Sequence, residues 1–308
     1  MIHPSLRGRL RPTVLRPAPH ISARTGLDVV LISEVGQITG SFKLRAAMNL
    51  ALCTPLPRLL AASSGNFGAA LAYSGAALGK PTTIVMPHTS AQVKIDAVRS
   101  HGATVDLIDV GVISRAARIA ELAAADPGAC ASNAYDDPLI ITGNSTLGHE
   151  LAEAALGLDV VVVPIGGGGL SSGIIEGLRE RGDRTAVWCA EPLLANDAAR
   201  SLRAGRRLSN AQEPQTIADG ARTISVGVHN WAILQAGLSG ITEVSEAAIA
   251  EGVRLLAAEG LRVEPTGALA IGALLSGGRP PGHRVGCVLS GGNVDEALYQ
   301  SILRGETP

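Results

Sequence analysis

Four consecutive glycines, Gly166, Gly167, Gly168 and Gly169, stand between a strongly apolar segment and a helical pattern. The preceding residues 159–164 read DVVVVP, a run that is apolar on both faces, as in a buried parallel strand. Residues 170–181 then read as an amphipathic helix. A loop without side chains can surround an oxyanion with backbone N–H groups at a helix N-terminus. The feature therefore predicts an α/β fold with an anion site, and its position directly between strand and helix does not suit a flexible linker.

The glycine pattern also limits the ligand. It matches neither the G-x-G-x-x-G fingerprint of dinucleotide sites nor the G-K-[ST] ending of a nucleotide loop. The expected ligand is therefore a small molecule that carries a single phosphomonoester.

Short apolar runs alternate with helical segments along most of the chain. The predicted strands with this pattern are residues 29–32, 59–62, 82–86, 104–108, 159–164, 186–190 and 284–289. Strands separated by helices predict parallel sheets. By contrast, residues 1–27 are predicted to form an extended arm, and the helix that precedes the glycine strand is predicted to begin at Gly148.

The length of the chain predicts two domains. Its 308 residues exceed the size, roughly 250 to 300 residues, at which a single apolar core stops growing. We predict a smaller domain of residues 56–134 and a larger domain of residues 1–55 and 135–308.

Lys43 is one of only three lysines, and it lies between Phe42 and an apolar run that begins at Leu44. Desolvation in such surroundings lowers the pKa of an ammonium group and leaves a free amine. A free amine is the species that forms a Schiff base with an aldehyde cofactor. The alternative is a lysine that extends from the first turn of a helix to water. The turns described next favour the Schiff base.

Three more strand ends carry polar side chains. Residues 63–66 read SSGN before an alanine-rich helix, where backbone N–H groups bind a carboxylate well, although an ordinary capped helix would look the same. Ser290 follows the last predicted strand, where a hydroxyl can hydrogen-bond the ring nitrogen of a ligand. Glu191 and Asp197 lie six residues apart after another strand. They either share a divalent cation or are two separate solvated acids.

Composition excludes several classes of function. The formal net charge is −1 with no basic run, and aromatic residues make up 2%, so nucleic acid is not an expected partner. No apolar run reaches the ~18 residues of a membrane span, and the N-terminus lacks the apolar core of a signal peptide. The four cysteines show neither metal nor disulfide spacing. A cytoplasmic protein that binds a small molecule and no membrane is expected.

A Schiff-base lysine, two anion-binding turns and a strand-end serine together describe a pyridoxal phosphate site. With these parts the chain resembles the fold-type II pyridoxal phosphate enzymes, most closely the branch of serine/threonine dehydratases and serine racemases. The motifs of the resemblance stand in the family order: GSFK at 40–43, SSGN at 63–66, GGGGL at 166–170, EP at 191–192, ADG at 218–220, EPTG at 264–267 and SGGN at 290–293. The resemblance implies two three-layer α/β/α domains with mostly parallel twisted sheets and an active site between them.

The resemblance also implies roles for individual residues. Lys43 would carry the cofactor and, once released by the substrate, move its α-proton. The implied cofactor contacts are Phe42, Lys43, Asn66, Gly166, Gly167, Gly168, Gly169, Leu170 and Ser290. The implied substrate contacts are Ser63, Ser64, Gly65, Asn66 and Phe67. A Mg²⁺ or Mn²⁺ ion would be bound by Glu191, the carbonyl of Ala195 and Asp197.

The strand-end serine bears on the reaction. A hydroxyl, unlike an aspartate, does not keep the pyridine nitrogen protonated, so the ring is a weaker electron sink and loss of a β-leaving group competes well. We therefore predict β-elimination of a β-hydroxy amino acid such as serine, threonine or 3-hydroxyaspartate, with release of a 2-oxo acid and ammonia. Ser64 stands where racemases place an acid on the opposite face, so racemisation is the first alternative. A β-replacement enzyme and a non-catalytic amino acid or cofactor-binding protein are the others.

Several positions depart from the common family pattern. Phe67 stands where many dehydratases have histidine, Ala69 where glutamine is common, and Ile38 where a proline is usual. The segment NAY at 133–135 replaces a region that often reads HPF or HPN. Because two of these positions face the substrate, the identity of the amino acid stays open. The few residues after Asn293 leave no room for a C-terminal regulatory domain, and the resemblance implies a homodimer.

Overall fold

The computed structural model describes residues 1–277 and 280–306. The predicted end of the larger domain, at residue 308, lies outside these ranges. The strands are β1 (Val14–Pro17), β2 (Asp28–Ser33), β3 (Arg58–Ala62), β4 (Thr82–Pro87), β5 (Thr104–Ile108), β6 (Ala129–Ser132), β7 (Val160–Pro164), β8 (Ala186–Pro192), β9 (Leu238–Val244) and β10 (Arg284–Leu289). The α-helices are α1 (Pro19–Thr25), α2 (Lys43–Cys53), α3 (Asn66–Leu78), α4 (Gln92–Arg99), α5 (Arg115–Ala125), α6 (Pro138–Ala154), α7 (Gly169–Glu180), α8 (Asp197–Ala204), α9 (Val228–Gly237), α10 (Glu246–Ala258), α11 (Pro265–Leu275) and α12 (Glu296–Leu303).

The strands form two sheets. Six of them lie in the order β1-β2-β10-β7-β8-β9, in which β1 is antiparallel to β2 and the other neighbours are parallel. The other four lie in the order β5-β4-β3-β6 and are all parallel. The predicted α/β fold with mostly parallel sheets is confirmed.

Both faces of the six-stranded sheet are buried, which explains the apolar run before the glycines. Val160 and Val162 of β7 pack into a cluster with residues of α10 and α11. Val161 and Val163 pack on the opposite face with residues of α6 and α7. All four side chains are fully buried. Burial of a valine stabilises a fold by about 1.5–3 kcal/mol, so β7 is a firm base for the loop that follows it.

The four-stranded sheet has its own apolar layers. Leu71 of α3 and Ile84 of β4 belong to one cluster, and Leu60 and Val85 to another that is covered by α5. Helix α2 contributes Ala46, Ala47, Leu50 and Ala51 to the first of these clusters. The predicted boundary at residue 55 therefore assigns α2 to the larger domain, although α2 packs on the sheet of the smaller one. The division into residues 56–134 and the remainder stays a prediction.

Two predictions about local structure were wrong. The N-terminal 27 residues are not simply an extended arm, because β1 pairs with β2 and α1 follows it. Helix α6 begins at Pro138, ten residues before the predicted start. Asp137 caps this helix by accepting the N–H of Leu139 at 2.7 Å, and the proline at the first helical position has no N–H that would need an acceptor. None of the helices in the described ranges has the length and apolar character that a membrane crossing requires.

Candidate active site

The carboxyl ends of β3, β6, β7 and β10 open onto one cleft of about 1470 Å³. Ligands bind at such strand ends in open α/β sheets. Every predicted cofactor and substrate contact lines this cleft: Phe42, Lys43, Ser63, Ser64, Gly65, Asn66, Phe67, Gly166, Gly167, Gly168, Gly169, Leu170 and Ser290. The structure thus brings together residues that lie up to 248 positions apart in the chain, from Phe42 to Ser290.

Lys43 is the first residue of α2, and its amine lies in the cleft. The Nζ atom donates to the carbonyl of Ala134 at 3.2 Å and lies 4.9 Å from the ring centre of Phe42 and 5.9 Å from that of Phe67. Withdrawal from water lowers the pKa of Lys43 to about 8, although the nearby carboxylate of Glu264 acts in the opposite direction. A pKa in this range agrees with the role predicted for Lys43, because a neutral amine is then accessible near physiological pH.

A buried ion cluster holds the start of α2 in place. The guanidinium of Arg45 donates to Glu34 Oε2 at 2.7 Å and to Glu150 Oε1 at 2.7 Å, and Arg45 is fully buried. The backbone N–H of Phe42 donates to the carbonyl of Ser290 at 3.0 Å. This bond ties the residue before Lys43 to the end of β10, so the backbone that carries Lys43 is held beside the strand-end serine.

Ser290 follows β10 directly and is only 2% exposed. Its Oγ has no hydrogen-bond partner in the described part of the chain. A buried hydroxyl without a partner costs about 1–3 kcal/mol, and a ring nitrogen of a ligand in the cleft would remove that cost. Ser290 is therefore suited to the role predicted for it.

The glycine loop presents a row of free donors. From Gly166 to Ser171, no backbone N–H donates to an acceptor within residues 1–277 and 280–306. Gly168, the N-cap of α7, has φ of 92°, a conformation that favours glycine. A Cβ on Gly167 would lie 2.2 Å from the ring of Tyr135, so no other residue fits there. Free amides at a helix N-terminus form a site for a phosphate.

The loop of residues 63–66 is organised differently. Ser63 Oγ accepts the N–H of Gly65 at 3.3 Å and that of Gly68 at 3.1 Å, so this hydroxyl stabilises the turn into α3. Within the described ranges the hydroxyl of Ser64 makes no hydrogen bond, and the N–H groups of Ser64, Asn66 and Phe67 have no acceptor. These donors can bind a carboxylate. Phe67, which replaces the histidine of many dehydratases, lines the cleft but also packs in the core of the four-stranded sheet.

Both ends of the Asn66 side chain are occupied. Its Nδ2 donates to Glu264 at 2.9 Å, and its Oδ1 accepts Asn293 Nδ2 at 2.8 Å. Glu264 is 5% exposed, and burial raises its pKa to about 7, with Asp219 adding to the rise. Neither Glu264 nor Asn293 was predicted to have a role in the site. Each stands in a motif of the resemblance, EPTG or SGGN, and those motifs were the available signal.

The three predicted metal ligands lie away from this cleft. Glu191 accepts the N–H groups of Ala198 and Ala199, both at 2.8 Å, and Asp197 accepts Val226 N–H at 2.8 Å. Burial and the charge of Asp197 raise the pKa of Glu191, and burial raises the pKa of Asp197 to about 6. No cluster of three or more His, Cys, Asp or Glu side chains suited to a metal occurs in the part of the chain that the structure describes.

A lysine of lowered pKa, a row of free amides and a buried strand-end serine lie in one cleft between two mostly parallel sheets, as in a pyridoxal phosphate enzyme of fold-type II. The chain belongs to the family described as pyridoxal-phosphate dependent enzyme, which it matches over residues 6–291.

Similar proteins in this family are named as an ammonia-lyase, a racemase and a deaminase. The chain is 35% identical to the L-threo-3-hydroxyaspartate ammonia-lyase of Pseudomonas sp, over 97% of this chain and 95% of that protein. Its fold superimposes on maize serine racemase with a TM-score of 0.90, at 27% identity over 98% of this chain and 95% of that one. It also superimposes on a threonine deaminase from T.th. with a TM-score of 0.87, at 37% identity over 94% of this chain and 95% of that one.

Proposed function

We propose that this protein is a pyridoxal phosphate-dependent ammonia-lyase, which removes the α-proton and the β-hydroxyl of a β-hydroxy amino acid as water, after which hydrolysis of the released enamine gives a 2-oxo acid and ammonia. The observation that carries the proposal is the unpaired, buried hydroxyl of Ser290 in the same cleft as the Lys43 amine. The cofactor, when bound, supplies an electron sink for the negative charge that develops at the substrate α-carbon.

The chain's own groups fit that cofactor. The neutral amine of Lys43 would bond to its aldehyde carbon, and the free amides of residues 166–171 would hold its phosphate. Ser290 Oγ would meet the ring nitrogen without adding a charge. When it is not bonded to the cofactor, Lys43 would also be the base, since a pKa of about 8 suits removal of an α-proton near neutral pH.

The substrate carboxylate would bind at the loop of residues 63–66. The N–H groups of Ser64, Asn66 and Phe67 supply donors, and the hydroxyl of Ser63 can donate while it accepts from the turn. A carboxylate held there lies at the N-terminus of α3, where the helix dipole stabilises negative charge.

We infer that 3-hydroxyaspartate is the first substrate to test. An acidic substrate needs a cation, and most cations of the cleft are already paired: Lys94 with Asp219 at 2.7 Å, Arg115 with Glu213 at 2.9 Å and Arg262 with Glu296 at 2.6 Å. Arg222 also lines the cleft, and its Nε and Nη2 donate to the carbonyl of Thr216. No carboxylate within the described ranges pairs with Arg222, so it has charge to offer a second carboxylate.

Amino acid racemisation is the second candidate. The similarity to maize serine racemase and the free hydroxyl of Ser64 in the cleft favour it. Racemisation would require Ser64 to exchange the α-proton on the face opposite Lys43. In that case Ser64→Ala would stop racemisation and spare elimination.

A divalent cation also fits the chain. Glu191 and Asp197 are each 1% exposed, and neither forms an ion pair within the described residues. Each carboxylate oxygen accepts one hydrogen bond from the protein and keeps a lone pair for a cation. We propose that Mg²⁺ or Mn²⁺ binds these carboxylates with the carbonyl of Ala195, where it would neutralise two buried charges.

Thermal unfolding tests the cation. Addition of Mg²⁺ or Mn²⁺ to chelator-treated protein should raise the melting temperature, because a ligand of the folded state stabilises it. Glu191→Gln should abolish the rise. A melting temperature that is the same with chelator and with either ion would refute the site.

The function is tested by measuring 2-oxo acid and ammonia from a panel of L- and D-serine, threonine and the 3-hydroxyaspartates, with chiral analysis of the remaining amino acid. We expect oxo acid from one or more members. Lys43→Ala should abolish both the product and the visible absorption band of the cofactor linkage. Lys80→Ala is the matched control, since Lys80 Nζ also donates to a carbonyl, that of Thr54 at 2.7 Å.

Two outcomes would redirect the proposal. Inverted amino acid with little oxo acid would identify a racemase, and a cofactor-bound protein inert to every substrate would identify a binding protein. A cytoplasmic location and a homodimer stay predictions, which fractionation and light scattering can test.

A further inference from the structure

Asn230, in the first turn of α9, is fully buried beside the glycine loop. Its Nδ2 donates to the carbonyl of Gly167 at 2.8 Å and to the carbonyl of Tyr135 at 2.9 Å. No motif in the sequence indicates this residue, which lies 63 positions from Gly167. Both carbonyls that it contacts belong to segments lining the cleft.

The orientation of the Asn230 carboxamide is determined by its partners. Both hydrogens of its NH₂ group point to carbonyl oxygens, and a flipped amide would place Oδ1, which cannot donate, against these two oxygens. Its Oδ1 has no hydrogen-bond partner in the described ranges. A buried amide oxygen left unpaired is unfavourable. Within the described ranges, the side chain of Asn230 makes hydrogen bonds only to the glycine loop and to Tyr135. The fold therefore accepts the cost of the unpaired oxygen at a residue that contacts this loop.

Other groups hold the same loop from outside the cleft. The N–H of Gly227 also donates to the carbonyl of Gly167, at 3.0 Å. Asn144, which is 1% exposed, donates its Nδ2 to the carbonyl of Gly169 at 3.0 Å. Two buried asparagines thus bind alternate carbonyls of one loop.

Fixing a carbonyl also fixes the next amide. The peptide unit is planar and trans, so the N–H of residue i+1 points opposite to the C=O of residue i. The bond from Asn230 to Gly167 therefore orients the N–H of Gly168, and the bond from Asn144 to Gly169 orients that of Leu170. Both N–H groups are among those without an acceptor in the described part of the chain.

We propose that Asn230 is a positioning residue for the phosphate of the cofactor. By holding the Gly167 carbonyl away from the cleft, it presents the N–H groups of the loop to a phosphomonoester dianion, and Asn144 does the same at Gly169. This inference rests on the proposed function, because it assumes a phosphorylated cofactor. It assigns to a second layer of side chains the geometry that four glycines alone do not provide.

A purely structural role for Asn230 makes a different prediction. In that case its loss would weaken all ligands of the cleft alike, through a general disturbance of α9 and Tyr135. Pyridoxal, which has the aldehyde and ring of the cofactor but no phosphate, separates the two roles. Its binding needs Lys43 and Ser290 but not the glycine loop.

The experiment uses the full chain freed of cofactor and measures the dissociation constants of pyridoxal phosphate and of pyridoxal through the absorption of the lysine linkage. Asn230→Ala should weaken pyridoxal phosphate roughly tenfold and leave pyridoxal unchanged. Asn230→Asp should weaken it further, because a carboxylate opposes both carbonyls and the phosphate. Asn144→Ala should show the same selectivity and decides the question if the Asn230 variants do not fold.

Asn49→Ala is the matched control. Asn49 is also fully buried and donates its Nδ2 to a main-chain carbonyl, that of Leu139 at 2.8 Å, but it does not line the cleft. It should leave the ratio of the two affinities unchanged. Equal losses for both ligands in Asn230→Ala, or no loss, would overturn the positioning role. A wild-type protein that does not prefer pyridoxal phosphate to pyridoxal would instead overturn the proposed function.

Discussion

The two anion-binding loops of the cleft are built in opposite ways. The glycine loop is mostly buried, its carbonyls are held by Asn144 and Asn230, and Gly167 has no room for a side chain. The loop of residues 63–66 is half-exposed, and a Cβ on Gly65 would meet no atom within 4 Å.

The two loops also differ in where their support comes from. The glycine loop follows β7, and side chains of α6 and α9, two helices that pack on the same six-stranded sheet, hold it in place. Asn66 follows β3 of the other sheet, yet its side chain is held by Glu264 and Asn293, which lie beside the six-stranded sheet. A site formed within one part of the fold suits a resident cofactor, whereas a site assembled between two parts suits a substrate that enters and leaves.

The largest effect is expected from Gly167→Ala. The added methyl would lie 2.2 Å from the ring of Tyr135, and overpacking of this kind costs about 1–3 kcal/mol. We expect the affinity for pyridoxal phosphate to fall by about one to two orders of magnitude, as measured by titration of the cofactor-free protein.

Gly65→Ala is the control for the other loop. Because that position is open, the variant should keep its cofactor affinity and change only the Michaelis constant of the substrate. Tyr135→Ala in the Gly167→Ala background should restore part of the lost affinity. Equal cofactor loss in the two glycine variants would show that the loops do not differ as described.

Asn293→Ala tests the support of Asn66. It removes the donor to Asn66 Oδ1 and a second bond, from Asn293 Nδ2 to the carbonyl of Thr39 at 2.9 Å. Loss of one or two hydrogen bonds predicts a rise of roughly tenfold in the Michaelis constant. The cofactor affinity should change less than the Michaelis constant, and steady-state kinetics with the active substrate, together with cofactor titration, measure both. A fall in cofactor affinity with an unchanged Michaelis constant would contradict the assignment.

Titration of Glu264 predicts how the stability of the cofactor-free protein varies with pH. Its pKa is raised from 4.5 to about 7, so between these values the folded state holds a proton that the unfolded state has released. Stability should therefore fall as the pH rises through this window, by up to about 3 kcal/mol in all. Lys43 acts in the opposite sense, because its pKa is lowered from 10.5 to about 8 and stability should rise with pH between these values.

Urea unfolding at pH 5 and pH 7 measures the slope. Glu264→Gln should reduce the fall in stability, and the part that persists belongs to Glu191 and Asp197, whose pKa values are also raised. An unchanged slope in Glu264→Gln would show that this carboxyl does not titrate in the window.

The parts of the fold that sequence analysis predicted are those with local signals. The alternation of buried faces at Val160–Val163, the glycine loop and the serine after β10 can each be read from a short stretch of chain. Strand β1 was not predicted because it is a strand only through its pairing with β2, which the local sequence does not indicate. The start of α6 was not predicted because Asp137 was not recognised as its cap.

The site shows the same division. Lys43 and Ser290 were predicted because a lysine in an apolar run and a strand-end hydroxyl suit the same cofactor as the two anion-binding turns. Glu264, Asn293 and Asn230 act through hydrogen bonds to partners that are distant in the sequence, at separations of 198, 227 and 63 positions. An asparagine has no composition or spacing signal for such a role, so only the folded chain identifies it.

The smallest effect on catalysis is expected from loss of an exposed ion pair between residues that line the cleft. Lys94 pairs with Asp219 at 2.7 Å, and both side chains are more than a third exposed. Exposed pairs contribute about 0.2–1 kcal/mol and weaken with salt. Lys94→Gln should therefore change the specificity constant by less than about fivefold, and the difference from wild type should vanish at high salt. Arg118→Gln is the control, because Arg118 of α5 pairs with Asp106 of the adjacent strand β5 at 2.7 Å and neither residue lines the cleft. This variant should leave the salt dependence of the kinetics unchanged.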